Sequence, residues 1–293
     1  MSLSSAHLWD EYIVAGSVEA ALQALQHYGP QARLIAGGTD LILLLEQARQ
    51  PVPAAIDVSR IPDLRQVFVD GDEIVIGAAV TFSDLAASPL IAAHAPALQQ
   101  AALTVGSIQI RNVATLAGNL VNASPAADGA PPLLTLDACV VIAGPEGAQR
   151  RVPLEQFVLG PRSVDLAHGE MVTQVRFPLC RQPERAVFLK VGLRRAMIIA
   201  TVNVALRLEI DSDRVTAAYL ALGAVAPTAV RALDAERSLI GNKLSEDVIK
   251  GAGQLASRSA RPIDDFRASA RYRVQIVDSL VQKGLRSLAA LPR

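Results

Sequence analysis

The sequence predicts an α+β protein of two domains, the first divided into two lobes, and three observations carry that expectation. Strand, helix and strand signals alternate over the opening stretch, roughly sixty residues, as in a βαβ unit. From Val67 onward, short β-branched runs broken by turn residues take over. A polar, proline-bounded segment, Pro178 to Pro183, then separates this region from alternating strands and closing helices. The expected boundaries are 1–178 for the first domain, with lobes of about 1–60 and 61–178, and 184–293 for the second.

The first expected element is a helix: Ser17 is a good N-cap, Val18, Ala21, Leu22 and Leu25 recur at helical spacing, and Gly29-Pro30 stops it. A short apolar strand, Arg33 to Ala36, runs through Gly37-Gly38-Thr39-Asp40 into the apolar run Leu41 to Leu45, and Ala55 to Val58 reads as another strand. Val67-Phe68-Val69 and Glu73 to Ile76, joined by Asp70-Gly71-Asp72, read as a hairpin. Ser83 to Ala86 and Pro96 to Val105 read as helices. Gly106 to Pro132 is dense in Gly, Asn, Ser, Thr and Pro, has little periodicity, and is expected to be irregular. A strand-rich block, Ala138 to Phe177, follows with turns at Gly144-Pro145 and Gly160-Pro161. In the second domain Ala186 to Leu193, Ile199 to Ile210 and Val215 to Gly223 have strand character. Ala229 to Leu239, Ser245 to Ser257 and Ala268 to Leu288 are expected amphipathic helices.

With 293 residues, 51% hydrophobic and 19% charged, the chain can bury substantial cores. Its 28 basic and 28 acidic side chains cancel, so the basic excess that marks nucleic-acid binding is missing. Arg194-Arg195 is too short a cluster to change that. No apolar run approaches the roughly 20 residues of a membrane span. Met1 to Asp10 lacks the basic start and apolar segment of a signal peptide, so a cytoplasmic location is expected. An iron–sulfur cluster or structural zinc wants about four closely spaced ligands. Cys139, Cys180 and the scattered His7, His27, His94 and His168 do not supply them, so no metal site is expected and Cys139 reads as a buried, inert thiol.

Two loops carry chemistry. Leu34-Ile35-Ala36-Gly37-Gly38-Thr39-Asp40-Leu41 is a strand, a glycine turn and a helix start. Glycines let the backbone approach a ligand closely, and the N–H groups of a new helix suit an anion. The Thr39 hydroxyl adds a donor. Neither GxGxxG nor a P-loop is present, so taken alone this is first an ordinary strand-to-helix turn, with phosphate binding the alternative. The second loop runs from Gly106 to Asp128. Its apolar residues argue against disorder, and Thr115, Asn119, Asn122 and Ser124 offer donors either for its own backbone or for a bound diphosphate. Asp128 offers an acceptor for sugar hydroxyls or a ring N–H. A self-capped structural loop and a binding loop stand level on composition alone. Two anion-friendly loops in one domain suggest a dinucleotide clamped between them.

These segments resemble the FAD-binding subunits of molybdopterin dehydrogenases, of the carbon monoxide dehydrogenase and xanthine dehydrogenase type. Ala36-Gly37-Gly38-Thr39-Asp40-Leu41 looks like their first flavin loop. Gln109-Ile110-Arg111-Asn112, Thr115-Leu116-Ala117-Gly118-Asn119 and Ala123-Ser124-Pro125 through Asp128 look like the second. Leu159-Gly160-Pro161-Arg162, Val175-Arg176-Phe177-Pro178, Phe188-x-Lys190 and Asp265-x-Arg267-x-Ser269-x-x-Tyr272-Arg273 are similar to later landmarks, so the resemblance spans nearly the whole chain.

The resemblance implies a two-lobed PCMH-type FAD-binding domain followed by a small α+β domain of the CO dehydrogenase flavoprotein C-terminal type. It implies FAD as cofactor, with Leu34, Ile35, Ala36, Gly37, Gly38, Thr39, Asp40 and Leu41 holding the pyrophosphate and neighbouring ribose. Thr115, Gly118, Asn119 and Asn122 complete the clamp. Ala127 and Asp128 contact the flavin or its ribityl chain, and Leu166 and Lys190 sit near the isoalloxazine ring. On the residues alone, Lys190 also reads as a solvated strand residue. Ala117 replaces a usual glycine, which costs on the order of 1 kcal/mol if the position needs a positive φ. Ile198 stands where many relatives carry an acid.

The implied function is electron transfer, with no catalytic side chain required. Expected partners are a molybdopterin-containing large subunit and a small subunit with [2Fe-2S] clusters, in a dimer of heterotrimers. An external acceptor, small molecule or protein, takes the electrons from FAD. The alternatives are a self-sufficient flavin oxidoreductase of the same fold, disfavoured because no histidine lies near the flavin loops, and a scaffold that has lost FAD.

Overall fold

The structure, a computed structural model, describes residues 7–180, 185–193 and 199–290. The first lobe comprises β1 (Trp9–Val14), α1 (Val18–Tyr28), β2 (Arg33–Ile35), α2 (Leu41–Ala48) and β3 (Val52–Asp57). Its three strands lie parallel in the order β1-β3-β2. The expected helix is α1, where the Ser17 hydroxyl accepts from the Ala20 N–H and Gly29, at φ 74, ends it. Contrary to expectation, a strand precedes it. β1 is mostly exposed, so no apolar alternation marks it, and its ladder to β3 holds it in place.

The second lobe follows with β4 (Val67–Asp70), β5 (Glu73–Gly77), α3 (Phe82–Ala87), α4 (Pro89–His94), α5 (Pro96–Thr104), α6 (Ile108–Arg111), α7 (Leu116–Val121), α8 (Ala130–Thr135), β6 (Cys139–Ala143), β7 (Gln149–Pro153), α9 (Leu154–Phe157), β8 (Val158–Gly160), β9 (Ser163–Val164) and β10 (Met171–Pro178). Five of the strands form an antiparallel sheet in the order β4-β5-β10-β6-β7. Ile74, Ile76, Val140, Ile142, Val175 and Phe177 of this sheet share one apolar core with Ala54 and Ile56 of the first lobe. The two lobes are therefore halves of a single packed body.

The stretch 106–132, expected to be irregular, contains α6 and α7 and the first turn of α8. Hydroxyl caps from Ser107 and Thr115 start the first two, and prolines in the first turn start the third. None exceeds six residues, too short for a 3.6-residue repeat to become visible.

The last body contains β11 (Arg185–Val191), β12 (Val202–Asp211), β13 (Arg214–Gly223), β14 (Val230–Arg231), α10 (Leu233–Leu239), α11 (Glu246–Ser259) and α12 (Ala270–Ala289). Its antiparallel sheet runs β11-β12-β13-β14. Alternation along β12 divides two faces. Val202, Val204, Leu206 and Leu208 join the helices in one core, while Ala205 meets Ala97 and Ala101 of α5 together with Ala186 and Phe188 of β11. The helix expected from Ala229 begins later, because Val230 and Arg231 pair with β13 first. Pro183, Arg194-Arg195 and Ile198 lie outside the described residues. No described helix is long and apolar enough to cross a membrane.

Ahead of α12 a turn is locked by charge. Arg267 grips Asp265 Oδ2 through Nη2 at 2.7 Å and Nε at 3.1 Å, and its backbone N–H donates to Oδ1 at 2.8 Å. The buried Arg273 also donates to Oδ1 and reaches the Ala224 carbonyl at 2.9 Å. Burial opposes ionisation of Asp265, but the hydrogen bonds from Arg267 and Arg273 outweigh it and hold the carboxyl well below the usual carboxylate range. Asp265→Asn is expected to cost roughly 2–3 kcal/mol at neutral pH, because Arg273 loses its charged partner. A depressed pKa contributes stability above the unfolded value, near pH 3.9, and that contribution drains as pH falls further. In denaturant unfolding, the gap between wild type and variant should therefore hold steady down to about pH 5 and narrow below about pH 4.

Candidate functional site

The chain leaves β2 at Ile35 and turns through Ala36, Gly37 and Gly38 into α2. Gly38 has φ 67, a left-handed conformation that suits glycine. Gly37 is required for a different reason: a Cβ there would lie 2.0 Å from the Val113 carbonyl oxygen and 2.4 Å from its carbon. The glycine turn of the first lobe thus rests directly on the backbone between α6 and α7 in the second. Asp40 gives α2 no side-chain cap, whereas hydroxyls cap α1, α3 and α7. The Ile42 N–H donates to the Gly38 carbonyl at 3.0 Å, and the N–H groups of Thr39, Asp40 and Leu41 before it, with no described partner, suit water or an anion.

The opposite wall is α7. The Thr115 hydroxyl accepts from the Gly118 N–H at 3.0 Å, and Asn119 Oδ1 accepts from the Gly129 N–H at 3.2 Å. Asn122 Oδ1 accepts from Arg162 Nη1 at 3.4 Å, and Ser124 Oγ accepts from the Ala126 N–H at 3.3 Å. Much of this loop's polarity does hold its own backbone in place, as a structural loop would. The same helix also forms a ligand-sized wall. Between the two loops runs a cleft of about 640 Å³, lined by the entire run Leu34 to Leu41, by Thr115, Gly118, Asn119 and Asn122, and by Leu166. Cofactor sites typically measure about 300–1,000 Å³.

Ala127, Asp128 and Lys190, expected beside the flavin, are not among the residues that line this cleft. Ala127 borders a neighbouring cavity of about 20 Å³, room for one water. Asp128 and Lys190 pair with each other at 2.5 Å, both nearly sealed from solvent. Asn203 Nδ2 donates to the other Asp128 oxygen at 2.8 Å, and Lys190 Nζ also reaches the Thr104 carbonyl at 3.2 Å. Burial pushes the Asp128 carboxyl up, and the Lys190 charge with hydrogen bonds from Lys190 and Asn203 opposes this only in part. Because β11 and β12 carry Lys190 and Asn203, this cluster joins the last body to the first. Lys190 is accordingly no solvated strand residue. Asn203 escaped notice, although an amide inside the apolar run Val202 to Leu206 is the kind of signal that marks a buried polar contact.

Arg162, noted above only as part of a landmark and given no role, also lines the cleft, as do His168 and Glu170, which were missed. His168 corrects the view that no histidine lies near these loops: it sits far along the chain, and the turn before β10 returns it to the cleft wall. Glu170 is occupied, accepting from Arg150 at 2.7 Å and from the Ala167 N–H at 2.7 Å. Ala117 is buried inside α7 and has no positive φ, so the strain expected of it does not arise.

The family model described as the FAD binding domain in molybdopterin dehydrogenase matches residues 6–180. That of the CO dehydrogenase flavoprotein C-terminal domain matches residues 188–288. The chain is 33% identical over 258 residues to the putative xanthine dehydrogenase FAD-binding subunit of Escherichia coli K12, covering 87% of each. With the glyceraldehyde dehydrogenase medium chain of Sulfolobus acidocaldarius it is 31% identical over 278 residues, 95% of this chain and 98% of that one. Among solved structures, carbon monoxide dehydrogenase from Hydrogenophaga pseudoflava lacking the Mo-pyranopterin moiety matches with TM-score 0.90 at 30% identity, over 96% of this chain and 97% of that chain.

Two expected outcomes follow from this geometry. Gly37→Ala should destabilise the protein by about 1–3 kcal/mol through overpacking and weaken dinucleotide binding, read by thermal unfolding and FAD titration. Lys190→Met should cost about 3–5 kcal/mol by stranding Asp128, and the double variant with Asp128→Leu should recover most of that loss in equilibrium unfolding.

Proposed function

The chain belongs to the family of FAD binding domains in molybdopterin dehydrogenases, followed by a CO dehydrogenase flavoprotein C-terminal domain, and we propose that it is the electron-transfer subunit of a heteromeric molybdenum hydroxylase. Its cofactor is FAD, which when bound holds one or two electrons and so joins single-electron donors to a two-electron acceptor. In this reading a partner carrying [2Fe-2S] clusters delivers electrons, a molybdopterin-containing large subunit oxidises the substrate, and an external acceptor is reduced. Similarity to a FAD-binding subunit and to a medium chain fits one chain among several.

The observation that carries the proposal is the contact of Gly37 with Val113, which sets an uncapped helix N-terminus against α7 across a dinucleotide-sized cleft. Leu34 to Leu41 hold the pyrophosphate and adjoining ribose at the N–H groups of α2. Thr115, Gly118, Asn119 and Asn122 fix the opposite side, and Leu166 gives the ring an apolar wall. Asp128 and Lys190 act at one remove, by setting how the last body sits against the FAD-binding one. No side chain is required as acid, base or nucleophile.

One observation favours a second reading. His168 on the cleft wall is a residue type that self-sufficient flavin oxidoreductases use as a catalytic group or covalent tether. Two measurements separate the readings. The purified chain should retain a visible flavin spectrum after desalting, release that flavin on acid precipitation, and be reduced only when reconstituted with its iron–sulfur and molybdenum partners. A folded chain that neither takes up FAD nor associates with such partners would sink the proposal. Flavin that stays in the acid pellet, or is reduced by substrate without partners, would establish the second reading.

A further inference from the structure

We propose that Arg162 is the cationic contact for the diphosphate of the bound dinucleotide, an assignment that rests on the FAD reading of the cleft. Arg162 occupies an unusual backbone position. β8 and β9 pair Gly160 with Ser163, leaving Pro161 and Arg162 as a two-residue turn. Proline suits the first of these places, but the second has φ 59, where glycine or asparagine is the usual occupant. An arginine kept there bears strain, and strained non-glycine residues persist chiefly at ligand clamps and similar sites.

The turn is tied to the binding wall rather than left loose. The Arg162 N–H donates to the Ala123 carbonyl at 3.0 Å, and Ala123 is itself left-handed at φ 46. Two strained residues thus pin the β8–β9 turn to the end of α7, beside Asn122. The guanidinium is exposed on the cleft wall, and its described side-chain contact is one long bond of 3.4 Å to Asn122 Oδ1. Arg162 lines the same cleft as Thr39, Asp40 and Leu41 at the start of α2.

The other charged groups on the wall, Arg33, Asp40 and Glu170, fit the role less well, Asp40 being an acid. Arg33 directs Nη1 to the Pro30 and Ala32 carbonyls, both at 2.9 Å. Glu170 is neutralised by Arg150. A dinucleotide brings two negative charges into this cleft, and a planar fork of donors matches phosphate oxygens closely. The amides of α2 and the Arg162 fork would then hold the diphosphate from opposite walls.

The test is titration of the full-length apoprotein with FAD, in wild type, Arg162→Gly and Arg162→Lys, together with thermal unfolding of each apoprotein. Glycine removes the fork and relieves the left-handed strain at once. The FAD dissociation constant of Arg162→Gly should rise about tenfold or more, with a shallower dependence on ionic strength, while its apoprotein melts no lower than wild type. Arg162→Lys should fall between the two in affinity. Affinity of Arg162→Gly within about twofold of wild type would overturn the assignment and leave the FAD reading intact. A weakened affinity accompanied by a lower apoprotein melting temperature would make Arg162 a structural residue and overturn it as well. Wild type that binds no FAD would overturn both.

Discussion

The contact between Gly37 and the Val113 carbonyl is the constraint on which the rest of the site depends. With 2.0 Å available where a Cβ would stand, only glycine lets the first lobe close on the second. That closure sets the width of the cleft, places an uncapped helix end on one wall, and brings α7 opposite. The lobes can meet so closely because they share a core: β3 and the five-stranded sheet bury their apolar residues in one cluster. The cleft is therefore built into rigid packing and does not depend on flexible loops finding each other.

A second constraint attaches the last body. Asp128, Lys190 and Asn203 form a buried polar cluster beside the apolar patch of Ala97, Ala101, Phe188 and Ala205. Apolar contact supplies adhesion, but it tolerates sliding. A paired charge with an amide on its second oxygen does not, since any shift strands a buried ion. Burying this pair is a weak source of net stability, and its better-supported use is to fix register between the two bodies.

Much of this was legible in the sequence, and the parts that were not share physical causes. Ser17 and Gly29 gave α1 its ends, and the glycine run at 37–38 was recognisable as a close-approach turn. β1 was invisible because its stability comes from pairing, which leaves no periodic trace when the strand is exposed. α6 and α7 were invisible because helices of four and six residues contain too few turns to show a face. In the cleft, the loop residues 34–41 and 115–122 could be read locally. The roles of Asp128 and Lys190 could not, because each is defined by a partner 62 positions away. His168 was hidden because only the fold returns it to the cleft wall, and Arg162 was legible as part of a landmark but not by its place on that wall. Ala117 looked strained only while its backbone was unknown, and in a helix it is an ordinary residue.

The Asp128–Lys190 pair also constrains the order in which the protein can form. Asp128 finds its cation 62 residues later and its amide 75 residues later. A nascent chain that ends before β11 holds a carboxylate with no ion partner, next to alanines of α5 that have nothing yet to cover them. That face stays open to water until Lys190 and Asn203 are made, so this interface cannot close before β11 and β12 exist. The seam between the two bodies is thus the part of the fold whose contacts are completed last along the chain.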